Sequence, residues 1–111
     1  MGKINSQKRC ASYHGAQRLV ERTQCKAKNT TEFIEKVWKF GKKISSYDRK
    51  TRMFSYLTNV KMNGGSDREV RVKGNVAYIF NRSGSVLITC FNIPQGVIQN
   101  RDKRGWVNYN G

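Results

Sequence analysis

The chain has 111 residues, enough for one domain around a single modest core. Its 22 Lys and Arg outnumber 7 Asp and Glu, for a formal charge of +15. Such an excess destabilises a compact chain through self-repulsion and points to a polyanionic partner, RNA or DNA first and an anionic membrane surface second. No run approaches the ~18 apolar residues that a membrane span needs. No basic, then apolar, then small-residue secretion signal opens the chain, so the expected place is the cytoplasm, with no membrane partner. Cys10, Cys25 and Cys90 are far apart, and a single histidine accompanies them. That set has no zinc-ligand spacing, so neither a metal nor another cofactor is expected. The three read as reduced thiols, Cys90 buried in an apolar run and Cys10 and Cys25 more exposed.

Residues 1–11 are polar and basic and are expected to form a flexible N-terminus. Ser12 is a candidate N-cap for a helix from about Tyr13 to Lys28, with a thin core face of Ala16, Leu19, Val20, Thr23 and Ala27. A second helix is predicted over about Thr31–Lys43 from the apolar period 33, 37, 40 and 44, with Trp38 and Phe40 as core anchors. Met53, Tyr56, Leu57 and Val60 predict a third, shorter helix. Asn63-Gly64-Gly65-Ser66-Asp67 then separates a helical front from a sheet-forming back.

In the back half, Glu69–Lys73 and Val76–Phe80 flank a Gly74-Asn75 hairpin turn, and Val86–Phe91 reads as the central strand, ended before Pro94. The fold class is therefore α+β: two long helices and one short, packed on one face of an antiparallel meander of three to four strands. The other face is expected to be open to a ligand. Residues 12–94 form the domain. The basic tail 95–111 reads as an added strand, a docked arm or a disordered end.

His14, Arg18 and Arg22 recur at i, i+4 and share one side of the first helix. One imidazole beside two guanidinium groups can move a proton and hold an anion. The plain alternative is a solvated basic helix that happens to carry a histidine. No Walker-type loop, dinucleotide fingerprint or metal-ligand cluster is present. Metal-independent RNA cleavage suits the residues better, because RNA supplies its own 2′-hydroxyl nucleophile and the protein needs only acid, base and cations. His14 and Arg18, with Lys73 and Thr89 from the strands, are the candidate catalytic set; Arg22, Arg71, Tyr78 and Arg82 are candidate RNA- or phosphate-binding residues.

The pattern S-x-H-x-x-x-R-x-x-x-R, the G-G loop, V-R-V-K-G-N-V-A-Y-I-F-N and V-L-I-T-C-F-N-I-P together resemble the small phage and toxin ribonuclease domains of the barnase, EndoU, colicin and RelE group. The resemblance covers about Ser12 to Pro94. It implies helices packed on an antiparallel sheet whose open face, near the first helix, carries the active site. It also implies His14, Arg18 and Arg22 from the helix facing Lys73 and Thr89 from the sheet, with Lys73, Tyr78 or an arginine in the second proton role.

Two readings follow. One is a toxin-like endoribonuclease, phage or mobile-element encoded, cleaving RNA by transphosphorylation and paired with an antitoxin or immunity protein. The other is a non-catalytic nucleic-acid or ribonucleoprotein binder, such as a phage inhibitor of a host defence complex. Either would be a monomer or weak dimer.

Overall fold

A computed structural model of the chain describes residues 9–65 and 67–100. Of the predicted flexible N-terminus 1–11, residues 1–8 lie outside the described residues, as do residues 101–111 of the predicted tail 95–111. The element order is β1 (Cys10–Ala11), α1 (Tyr13–Arg22), α2 (Thr30–Phe40), α3 (Arg52–Gly64), β2 (Glu69–Lys73), β3 (Val76–Phe80), β4 (Val86–Asn92) and α4 (Gln95–Gln99). The α+β class and the order of helices before meander are as the sequence predicts.

The four strands lie in the order β1-β4-β3-β2, with β2, β3 and β4 antiparallel and β1 parallel to β4. The hairpin is where alternation and turn chemistry place it, and Gly74 and Asn75 both adopt positive φ, at 58° and 67°. The short parallel strand was not foreseen. Cys10 pairs with Val86 and Ala11 with Leu87, so the ordered unit begins before residue 12. It also passes Pro94, because Gln95–Gln99 turn into a short helix that buries Val97.

Ser12 caps α1 as predicted, accepting from the Gly15 N–H at 2.9 Å and donating to the Ile88 carbonyl at 3.3 Å. The same side chain thus starts the helix and ties it to β4. Gly15 lies against β4, where a β-carbon would overlap the Leu87 carbonyl oxygen. α1 ends at Arg22, six residues before the predicted Lys28, because the Thr23 hydroxyl turns back to the Leu19 carbonyl at 2.6 Å and accepts from the Cys25 N–H at 3.0 Å. α2 stops at Gly41, whose extended backbone pairs the next residue, Lys42, with Val72 at the edge of β2. α3, expected to be the shortest of the three, is the longest at 13 residues, capped by Thr51 and closed at Gly65.

The helices do not share one face. Leu19 of α1 and Ile34 and Val37 of α2 bury against Val76, Tyr78, Phe80, Leu87 and Cys90. Met53 and Leu57 of α3, with Ile93 and Val97, bury against Val70, Val72, Ala77 and Ile79. All five residues of β3 are buried as a result. The expected open face does not exist: odd and even residues of β3 are both apolar, so each side needs a helical cover. Two predicted core residues stay outside, Val20 exposed on α1 and Phe40 66% exposed at the end of α2, whereas Cys25 is buried rather than exposed.

Burial pushes the Cys90 thiol up from 9.0 to about 11, against the opposing pull of Arg22 and Arg18. A folded-state value raised above the unfolded one gives stability that is complete below about pH 9 and lost as pH climbs toward 11. Melting temperature should therefore fall over that interval, and Cys90→Val should make the fall shallower; an identical pH profile in the variant would contradict the assignment. Gly15→Ala supplies a second check, in urea unfolding. Alanine's helix preference favours it by ~1 kcal/mol, but overlap with a strand carbonyl costs about 1–3 kcal/mol, so net destabilisation is expected, and a more stable variant would show that α1 stands off β4.

Candidate nucleic-acid interface

α1 carries its histidine and arginines at successive i, i+4 positions, and of the three Arg22 alone is seen to bond the sheet, through a backbone carbonyl of β4. His14 is exposed at the first turn, beside Tyr13, which is 88% exposed. Arg18 pairs with Glu21 at 2.8 Å, and Arg22 donates to the Cys90 carbonyl at 3.0 Å, fastening the helix end to β4. Both guanidinium groups thus have partners within the fold.

The strand residues lie elsewhere. Thr89 pairs with Ile79, whose side chain belongs to the α3 face, whereas α1 packs on the opposite face. Lys73 is exposed at the far end of β2, opposite Val76, which in turn pairs with Asn92. Gly15 abuts Leu87 at the other end of β4. At ~3.4 Å per residue and ~4.8 Å per strand, that separates Lys73 from the histidine turn by about 20 Å. The structure therefore does not bring His14, Lys73 and Thr89 together around one phosphate.

Two of the candidate RNA contacts are interior. Tyr78 is buried in the α1–α2 core, and desolvation, followed by the neighbouring Cys90 and Cys25, pushes its phenol above the ordinary value. Arg71 is only 4% exposed. Its guanidinium lies 3.8 Å from the centre of the Trp38 ring and donates to Glu69 at 3.0 Å, to the Val70 carbonyl at 3.2 Å and to the Trp38 carbonyl at 3.4 Å. Arg9 also stands over the same indole, 4.8 Å from its centre, while bonding Glu35 through Nη1 at 2.6 Å and through its backbone N–H at 3.0 Å. A buried cation is tolerated when its donors are matched and its plane is stacked, and both conditions hold for Arg71. It joins β2 to α2, and the ring edge of Trp38 meets Phe80 at 5.1 Å. Trp38 is thus the core anchor that its position in the apolar stripe predicts.

Arg82 fares differently. It is exposed in the β3–β4 turn and lines a cleft of about 370 Å³ with Lys61, Asp67, Arg68 and Glu69. Lys61 and Glu69 also line a larger groove of about 560 Å³, whose other walls are Lys43, Ile44, Ser45, Phe54, Thr58, Met62 and Val70. The two hollows therefore share Lys61 and Glu69 as lining residues, beside α3, the β2 strand and the connector that follows α2. Counting Arg71 behind Glu69, five cations meet two carboxylates along this path, and one of the two is neutralised in place.

The approach is basic as well. Residues 39–52 hold Lys39, Lys42, Lys43, Arg49, Lys50 and Arg52 against Asp48 alone. The Lys39 ammonium lies 5.5 Å from the centre of the exposed Phe40 ring, and that of Lys42 lies 5.8 Å from Tyr47. Sequence reasoning did not single out Lys43, Lys61 or Arg68. The only signal was the density of cations after Trp38, and nothing in that run says which helix the connector folds against.

No helix among the described residues is long and apolar enough to cross a membrane. Comparison with protein-family models, with curated proteins and with solved structures found no match, so none bears on the ribonuclease-group resemblance.

Replacing Arg71 separates a structural cation from a phosphate contact. Arg71→Met should lower unfolding stability by about 2 kcal/mol or more, the scale of a disrupted buried polar network, while RNA affinity stays within two-fold. A stable variant that loses RNA binding would return Arg71 to the interface.

Proposed function

We propose that this protein binds nucleic acid, RNA in the first instance, and acts by occupying it rather than cutting it. The observation that carries the reading is the set of four cations, Lys43, Lys61, Arg68 and Arg82, that line two hollows sharing Lys61 and Glu69 beside β2. Phosphates neutralised there would release condensed counterions, which is the main source of affinity for a basic protein on a polyanion. Folding gives the excess charge little internal relief. Among the described residues, four ion pairs, Arg9–Glu35, Arg18–Glu21, Lys36–Glu32 and Arg71–Glu69, already engage four of the seven acidic residues of the chain. A polyanion supplies the missing counter-charge.

Cleavage would need an acid and a base within hydrogen-bond reach of one phosphate. The sole histidine of the chain lies on α1, outside the residues that line the path. Thr89 and Lys73 are separated from it by the sheet and by its length, so binding without turnover fits the placement better. The partner is then an RNA or a ribonucleoprotein of the cell in which the protein acts, and a host complex that the protein obstructs is one setting consistent with that role.

Four phosphate contacts on a single strand predict a slope of about −3 in log K against log salt, and each lysine removed should reduce it by about 0.7. Fluorescence anisotropy with a labelled RNA checks this in Lys43→Ala and Lys61→Ala, and a salt-independent affinity would contradict the reading. Incubation of the same RNA in EDTA should leave it intact with wild type and with His14→Ala alike. Fragments ending in 2′,3′-cyclic phosphate that depend on His14 would restore the nuclease.

A further inference from the structure

We infer that the groove between the connector and α3 takes one unstacked nucleotide of a single strand, its base on the apolar floor and its flanking phosphates on Lys43 and Lys61. The inference rests on the nucleic-acid reading and adds to it the strand state of the ligand. The groove's apolar lining is Ile44, Phe54, Met62 and Val70, with Ser45 and Thr58 adding hydroxyl groups and Glu69 a carboxylate. Its volume, about 560 Å³, is ample for a base and ribose. Met62 stands out on α3, 60% exposed where the helix could have carried a polar residue.

Charge and apolarity alternate here over a short distance. Lys43 and Lys61 belong to the lining on either side of α3 and the connector, and beyond Lys61 the path continues to Arg68 and Arg82. A polynucleotide matches both features, because every repeat carries one phosphate and one flat apolar face, and unstacked bases are offered only by single strands. Duplex RNA keeps its bases paired and stacked, so it would meet the cations and leave the floor unused. An acidic peptide matches the cations alone, and it would also meet Glu69, which lines both hollows, and Asp67 in the adjoining cleft. The Glu69 charge is directed to Arg71 at 3.0 Å, which lowers its repulsion of a phosphate chain.

Anisotropy with a labelled 12-nucleotide RNA single strand, and with a blunt duplex of equal length, tests this over a series of salt concentrations, the two forms being compared at each. Wild type should bind the single strand at least ten-fold more tightly. Met62→Ala should reduce that ratio about three-fold, and Thr58→Trp, which fills the groove, should abolish it; circular dichroism verifies that both variants fold. Equal affinity for the two forms with a steep salt slope would overturn the slot and leave the nucleic-acid reading standing. No binding of either form would overturn both. Tighter binding of a glutamate-rich peptide than of the single strand at the same salt concentration would overturn the slot in favour of a protein partner.

Discussion

The whole arrangement depends on the burial of β3 from both sides. Val76, Tyr78 and Phe80 need the α1–α2 layer, and Ala77 and Ile79 need α3 and the α4 segment. A strand with apolar residues at every position cannot present either face to water, so the sheet becomes the middle of three layers. Its edges are partly closed as well, by Cys10–Ala11 along β4 and by the Lys42–Val72 bridge along β2. Anything this protein binds must therefore meet helices, turns and rims, not the sheet itself. That constraint separates it from an architecture in which an exposed sheet holds a phosphate.

Charge is arranged around the same layers. The one guanidinium that enters the interior, Arg71, is held between Trp38 and Glu69, where it joins a strand to the helix above it. Arg22 and Arg9 perform similar fastening nearer the surface, one on the Cys90 carbonyl and the other on Glu35. Arginine suits such posts because its flat, fixed fork can stack and donate at once. The lysines follow another rule. Lys43 and Lys61 line the groove together with apolar residues, where a long side chain can cover apolar surface with its stem and leave its charge to solvent or a ligand. Structural cations are thus mostly arginines, and those lining the hollows beside α3 and β2 include the lysines.

Local chemistry was legible in the sequence, and tertiary placement was not. Gly74-Asn75 between two alternating runs specifies a hairpin and its register, because the turn accepts positive φ at both positions. Ser12 announces a cap, and α1 starts where it should. Helix lengths were less legible: the Thr23 side chain ends α1 through its own hydrogen bonds, and no apolar period encodes that. The pairing of Cys10 with Val86 joins distant segments through two residues, too few to leave a pattern. Arg71 looked like the solvent-facing member of an alternating strand, and only the arrival of Trp38 from α2 makes its position interior. The supposed phosphate site failed for a related reason. Helical spacing places His14, Arg18 and Arg22 together, but it says nothing about which end of which strand they face. Arg82, a candidate contact from the sequence, is exposed on a turn and lines one of the hollows, whereas the placement of Lys43, Lys61 and Arg68 depends on the folded connector.

The central claim is one of location: a polyanion lies along the rim between α3 and β2, and α1 takes no part. Backbone amide shifts of the isotope-labelled protein, followed by NMR during titration with a short RNA, test it most directly. Changes should concentrate at residues 43–45, 58–62, 68–70 and 82, while Tyr13 to Arg22 remain still. Changes centred on His14 and Arg18, with the α3 rim silent, would contradict it.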